Sequence, residues 1–362
     1  MIAQWPRREH ALMVALRSWL NARTPTPPGR VLSWNVARAA RGWSLPNPHA
    51  MEHAMFICLS EQSSRQRPSA SQIDTDEISD VLRLIGGCRV LEVPVDGPGA
   101  PSIEDALAYL SVQDSPTPAI YNGFIPSQER YEAVWEACAR RNVWLLNTPA
   151  EFARCLSLEQ AYPLLCSMTP RTVPITSLDG LDAALDEVGL PAFLKGSVKS
   201  LKKRGIRSCK AQTREEARRI AAELFEHTYF TRGTVLVRQW VELRHNRKTP
   251  RGLPMGREFR LFVYRGEVLG YGYYWETGDP MDTLTPNEEV EVFALARRAA
   301  AALDVPYLVL DVGHTKAGEF IIVEPGDAQF AGLSRVDPLA VFTRLVARAR
   351  AEPPAGVPSP VG

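Results

Sequence analysis

Between residues 54 and 146, short apolar runs alternate with helical patterns, and this alternation limits the possible folds more than any other feature of the chain. Residues 54–59, 89–93, 118–121 and 143–146 read as strands, and residues 77–85, 103–110 and 127–141 as helices. The last helix has a cap and an early acid in Ser127-Gln128-Glu129, followed by Tyr131, Val134, Trp135 and Cys138 at helical spacing. Strands separated by helices return in the same direction, so this segment predicts a small parallel sheet with helices on its faces.

The texture then changes. Residues 148–167 hold two short helical patterns broken at Pro149 and Pro163. They are followed by an extended piece at 171–174 and a helix at 181–188. A strand at 192–195, a basic loop, a strand at 206–211 and an amphipathic helix at 213–225 come next. Strands are expected at 234–243 and 258–264, the latter forming a hairpin with 268–275 through Arg265-Gly266. A helix at 288–303, strands at 307–313 and 320–324, and a helix at 338–349 complete the pattern. The expected fold class is α/β and α+β, with an α/β domain at 53–165 and two α+β subdomains at 166–235 and 236–350. Residues 244–256, basic and rich in Pro and Gly, are expected to form an exposed flap.

Charge is uneven along the chain. Residues 1–50 carry seven arginines and one acid, whereas residues 51–150 carry seven arginines and 14 acids. Residues 1–52 therefore read as a basic, poorly ordered extension, and 351–362 as a disordered tail. No apolar run reaches the roughly 18 residues of a membrane span, and no secretory signal is evident, so an intracellular, cytoplasmic protein is expected. The six cysteines lack metal or disulfide spacing and read as buried thiols.

Only seven lysines stand beside 35 arginines, and five of the seven are Lys195, Lys199, Lys202, Lys203 and Lys210. Lysine is a compact charge on a flexible stem that can enter a phosphate site, so the cluster points to phosphate handling. Downstream come Arg238-Gln239-Trp240-Val241-Glu242, then Arg257-Glu258-Phe259-Arg260, then Asp311 with Glu324 thirteen residues later. Asp311 and Glu324 each end an apolar strand, so their carboxylates can converge at one sheet edge as hard oxygen ligands. Glu258 and Arg260 alternate with Phe259, Leu261 and Val263 and so face the cleft together.

In order and spacing these segments resemble the ATP-grasp superfamily over roughly residues 54–350. The likeness is closest to a bacterial and phage branch with undefined substrates. That branch shares Gly-Phe-Ile-Pro-Ser at 123–127, Val198-Lys199-Ser200 with Lys202, and Glu324-Pro325-Gly326-Asp327-Ala328-Gln329. The resemblance implies an N-terminal α/β domain and two α+β subdomains clasping ATP and Mg²⁺. It implies phosphate contacts from Lys195, from Lys199 and Lys202 in a lid loop, and from Arg154. Gln239, Trp240, Val241 and Glu242 would form the adenine and ribose hinge, with Glu258 beside the nucleotide. Arg260 and Lys199 would act on the group in transit. Asp311, Glu324 and Asp327 would hold metal, since the Asn often found two residues after the second acid is Gly326 here. Asn122 replaces an arginine of the branch.

The implied activity is an ATP-dependent carboxylate–amine or carboxylate–nucleophile ligase that works through an acyl-phosphate on a small-molecule or peptide carboxylate. Two other readings stand beside it. One is an RNA-modifying or phosphotransfer enzyme, prompted by seven basic residues and no acid over 195–210. The other is an ATP-binding module without turnover. His314 reads as a turn residue.

Overall fold

The structure is a computed structural model that describes residues 55–62, 70–95, 100–275 and 279–352. The expectations for the basic extension and for the tail beyond residue 352 lie outside the described residues. Among the described residues, no helix is long and apolar enough to cross a membrane.

Strands β1 (Phe56–Gln62), β2 (Cys88–Pro94), β3 (Thr117–Asn122) and β4 (Val143–Leu145) form an all-parallel sheet in the order β2-β1-β3-β4. Helices α1 (Ala70–Leu84), α2 (Ile103–Ala106) and α3 (Gln128–Ala139) connect them. Both faces of β1 are buried. Phe56 and Cys58 pack with Ile78, Val81 and Leu82 of α1, whereas Ile57 and Leu59 pack with Tyr131, Val134 and Cys138 of α3. This two-sided burial is what a continuous apolar strand in a parallel sheet requires. The expected helix at 103–110 is only one turn, α2, capped by Ser102.

Helices α4 (Pro149–Leu156) and α5 (Leu158–Leu165) lead out of this unit. Pro149 starts α4 rather than breaking it, because Thr148 and Glu151 form a capping box around a first-turn proline. Pro163 lies inside α5, which continues to Leu165 because Leu158, Ala161 and Leu165 are anchored in the large core.

A second sheet has the order β5-β8-β6-β7 and is antiparallel: β5 (Thr172–Ile175), β8 (Val235–Gln239), β6 (Ala192–Gly196) and β7 (Lys210–Ala211). Helices α6 (Leu181–Val188) and α7 (Arg214–Phe225) cover one face, against Ala192, Leu194, Val235 and Val237. A one-turn helix, α8 (Thr228–Thr231), precedes β8. Since β8 pairs with β5 and β6, the expected subdomain boundary after residue 235 falls inside a strand that belongs wholly to this sheet. The expected strand at 206–211 is mostly two 3₁₀ turns, Lys202–Arg204 and Ile206–Ser208, divided by Gly205 at φ +108°. A side chain there would be strained and would meet Arg251, so glycine lets this loop lie against the 244–256 flap.

The third sheet, in the order β10-β9-β11-β12, is antiparallel: β9 (Glu258–Tyr264), β10 (Glu267–Tyr273), β11 (Tyr307–His314) and β12 (Phe320–Asp327). Helix α9 (Pro286–Leu303) buries Val292, Leu295, Ala296 and Ala299 against Phe259, Leu261, Leu308, Leu310 and Val312. On the opposite face, Phe262, Tyr264, Tyr307 and Val309 pack beneath α10 (Pro338–Ala351) and α1. That second face is apolar for half its length only, and its other half carries the charged residues of the site.

Candidate active site

Strand alternation puts the odd residues of β9 into the α9 core and leaves Glu258 and Arg260 on the other face. Arg260 lies directly opposite Asp311 on β11, and Asp311 lies opposite Glu324 on β12. Three adjacent strands therefore carry one transverse row of Arg, Asp and Glu. Facing it are Phe193, Lys195 and Arg238 of the second sheet, which alternate with residues buried under α6 and α7.

The row is tightly paired. Lys195 is fully buried, and its Nζ donates to Glu324 Oε1 at 2.5 Å. Arg260 is bidentate on Asp311, with Nε to Oδ1 and Nη2 to Oδ2 both at 2.9 Å, and its Nη1 donates to the Gly332 carbonyl at 2.8 Å. Burial opposes ionisation of Glu324, but Lys195, Lys202 and Arg238 outweigh it and hold the carboxyl below its usual range. Burial likewise pulls the Lys195 ammonium down, with Glu324 opposing. Glu258 is pushed up to about 7, first by burial and then by Asp311 and Glu324, with Lys202 and Arg260 resisting.

An open cleft of about 820 Å³ adjoins this row, lined by Phe193, Trp240, Leu243, Leu253, Trp275 and Val323 among others. Gln239, Trp240, Val241 and Glu242 all border it, as do Lys202 and Glu258. Glu242 is also paired with Lys316 at 2.6 Å, and Lys210 Nζ lies 4.1 Å from the Trp240 ring centre. Lys202 reaches in from the loop, with its Nζ 2.8 Å from the Tyr274 hydroxyl. The loop starts at Gly196, where any Cβ would stand 2.3 Å from the Phe230 carbonyl oxygen. That close approach lets the Phe230 carbonyl accept from the amides of Val198 and Lys199, at 3.0 and 3.2 Å.

The structure thus brings together Lys195, Lys202, Gln239, Trp240, Val241, Glu242, Glu258, Arg260, Asp311 and Glu324. It places three expected residues elsewhere. Lys199, turned by the bonds to Phe230, sets its Nζ 3.4 Å from the Tyr229 hydroxyl on the surface of the second subdomain. Arg154 donates to the carbonyls of Leu303 and Asp304, both at 3.0 Å, and so caps the C-terminal end of α9. Asp327 is three residues beyond Glu324 and turns toward the N-terminal domain, where it accepts from the Gln329 amide at 2.9 Å. Gln329 in turn accepts from the Tyr121 amide and donates to the Tyr131 hydroxyl, so the Asp327-Ala328-Gln329 phrase joins two domains. His314 is a buried strand residue, not a turn residue. Its Nδ1 accepts from Arg257, and its ring stacks on Phe320. Asn122 donates to the Thr75 carbonyl and Ser79 hydroxyl inside the N-terminal domain. The cysteines are unpaired, and Cys166 departs from expectation by being exposed.

Two contributors were missed. Arg238 is buried and bonds Thr169, Thr172 and the Val323 carbonyl, which ties the second sheet to β12 beneath the cleft. An arginine inside an otherwise apolar strand was the available signal. Tyr274, the partner of Lys202, had none.

Among the described residues no three His, Cys, Asp or Glu side chains converge on one point. Asp311 and Glu324 alone supply two hard oxygen ligands on paired strands, and each already accommodates positive charge. Such a donor set fits a magnesium ion that takes its remaining ligands from a nucleotide and water, rather than an all-protein cage.

Residues 185–346 match a family model described as an ATP-grasp domain, the third family of its clade. Among solved structures, the D-alanine–D-alanine ligase from Bacillus anthracis complexed with ATP aligns with a TM-score of 0.57 at 12% identity, covering 82% of this chain and 98% of that one. D-alanyl-alanine synthetase A from Vibrio cholerae aligns with a TM-score of 0.54 at 14% identity, covering 83% and 99%. The ATP-grasp ligase PsnB, complexed with minimal precursor, Mg and ADP, aligns with a TM-score of 0.50 at 12% identity, covering 82% and 98%. No curated protein matches the sequence. The structural likenesses establish the fold, the family match covers most of the two sheets that face the cleft, and together they place the chain in the ATP-grasp superfamily.

Proposed function

We propose that the chain is an ATP-dependent ligase that activates a carboxylate as an acyl-phosphate, passes the acyl group to an amine or other nucleophile, and releases ADP and phosphate. The observation that carries this reading is the row Arg260–Asp311–Glu324 facing Lys195 across an apolar cleft, which offers cations for phosphates beside acids for a metal. Lys195 would hold a transferring phosphate and Lys202 would cover it from the loop, while the segment 239–242 would border the base and ribose. Arg260 would steady the group in transit. Asp311 and Glu324 would hold the Mg²⁺ that screens phosphate charge when it is bound.

In the first step a carboxylate oxygen attacks the terminal phosphorus, and the bond to the bridging oxygen breaks with its electrons leaving on ADP. In the second step the nucleophile adds to the acyl carbon, inorganic phosphate departs, and the nucleophile's proton goes to base or solvent. Water would destroy the acyl-phosphate, so a loop that lies against the flap has a purpose as a lid. The basic run at 195–210 gives little support to an RNA reading. Lys195 and Lys202 turn inward, Arg204 pairs with Glu223, and Lys210 sits over Trp240.

Nucleotide-triggered ADP release, measured across pools of amino acids, peptides and RNA with Lys195→Ala and Glu324→Ala as controls, tests the proposal. A carboxylate- or amine-containing pool should stimulate release by the parent and by neither variant. Stimulation by RNA alone, or variants as active as the parent, would contradict it.

A further inference from the structure

The two acids that suit a metal are not equally held. Arg260 engages both oxygens of Asp311 and is itself fixed by the Gly332 carbonyl, so three donors of one rigid plane are committed. Lys195 touches Glu324 through a single bond to Oε1 and carries its charge on a flexible four-carbon stem. Lys195 is also fully buried, whereas about a third of the Glu324 side chain is exposed toward the cleft. An ammonium in that position cannot leave Glu324 for bulk water at low cost, and it needs an anion delivered into the cleft to replace its partner. A divalent cation that approached Glu324 with Lys195 still in place would meet a carboxylate that is already neutralised, beside a like charge.

We infer that the Lys195–Glu324 pair is a gate that suppresses metal binding to the nucleotide-free protein and opens when nucleotide phosphates take Lys195, so that metal and nucleotide bind as a coupled pair. This rests on the reading of the cleft as a Mg-nucleotide site. Arg260 is the fixed half of the device and keeps Asp311 in position, while Lys195 is the half that changes partner. Coupling between two ligands is reciprocal, so removing either member of the pair should release the ligand that the other member binds. Without Lys195, Glu324 is open to a cation. Without the Glu324 charge, Lys195 is open to phosphate with no metal present.

The test is equilibrium binding of Mn²⁺, with and without a non-hydrolysable ATP analogue, read by calorimetry and by the loss of free-Mn²⁺ paramagnetic resonance. For the parent, the analogue should tighten Mn²⁺ binding by about tenfold or more. Lys195→Gln should bind Mn²⁺ alone about tenfold more tightly than the parent does, with little further gain from the analogue. Lys202→Gln removes a nearby ammonium that is bonded to Tyr274 and not to Glu324, so it should change Mn²⁺ binding less. As a second arm, Glu324→Gln should bind the metal-free analogue in chelator more tightly than the parent. Unchanged Mn²⁺ affinity in Lys195→Gln, an equal gain in Lys202→Gln, or no gain for Glu324→Gln would overturn the gate. A parent that binds the analogue without any coupling to Mn²⁺ refutes the gate alone, while a parent that binds no analogue under any metal condition refutes the nucleotide reading as well.

Discussion

Glu324 and Asp327 are three residues apart on one strand, yet they belong to two different kinds of polar network. At the cleft, Glu324 and Asp311 are met by Lys195 and Arg260, and all four groups carry charge that an incoming ligand could take over. At the domain seam, Asp327 is met by Gln329, and the surrounding bonds involve Tyr121, Tyr131 and the pairing of Asn147 with Tyr307. Burial pushes the Asp327 carboxyl up to about 6, and uncharged amides rather than cations resist that shift. A seam built of neutral donors holds two domains together without attracting ligands. A cleft built of paired charges is poised to exchange one partner for another. What the contrast teaches is that a carboxylate's role here follows from the surface it faces and the charge of its partner, not from its place in a motif.

The comparison breaks most sharply at Lys195. Replacing it with Ala should lower nucleotide-dependent turnover by about a hundred- to a thousandfold, as expected for losing a preorganised charge at a phosphate, while the fold persists. At the seam the effect should fall on stability instead. Gln329→Leu leaves the buried Tyr121 amide and Tyr131 hydroxyl without their partner and should cost about 2–4 kcal/mol in urea denaturation, with nucleotide affinity of the folded protein nearly unchanged. A smaller effect is expected at Glu258. Its folded pKa of about 7 lies above the ordinary 4.5, so its contribution to stability is full below about pH 4.5 and is lost as pH rises through 7. Denaturation of Glu258→Gln at pH 5 and pH 8 should therefore show a variant gaining about 1–3 kcal/mol on the parent over that interval. The smallest effect belongs to Arg154→Ala, which removes a helix cap and should cost about 1 kcal/mol of stability with no change in nucleotide affinity. A large loss of affinity there would restore Arg154 to the phosphate site.

The strand and helix order was readable because each element has a strong local period, as β9 shows: Phe259, Leu261 and Val263 face the core, and Glu258 and Arg260 face the cleft. Convergence of Asp311 and Glu324 was readable for the same reason, since both end apolar runs that pair across a short turn. Local period does not say where a long side chain ends. Lys199 and Lys202 are three residues apart in one basic loop, and only the tertiary position of Phe230 and Tyr274 sends one to the surface and the other into the cleft. Asp327 was misplaced because a motif phrase was taken as one functional unit, although its end lies against another domain. Tyr274 and Asn147 act through partners distant in sequence, and no pattern of spacing announces such contacts.

The most direct test of the central claim is the affinity of a Mg-bound, non-hydrolysable ATP analogue for the parent, Lys195→Ala and Gln329→Ala, measured by calorimetry on protein verified as folded. The account predicts at least about a tenfold loss for Lys195→Ala, the energy of one charge-assisted contact, and a change of less than about twofold for Gln329→Ala. Equal affinity for the parent and Lys195→Ala, or a loss confined to Gln329→Ala, would contradict the assignment of the nucleotide to the cleft.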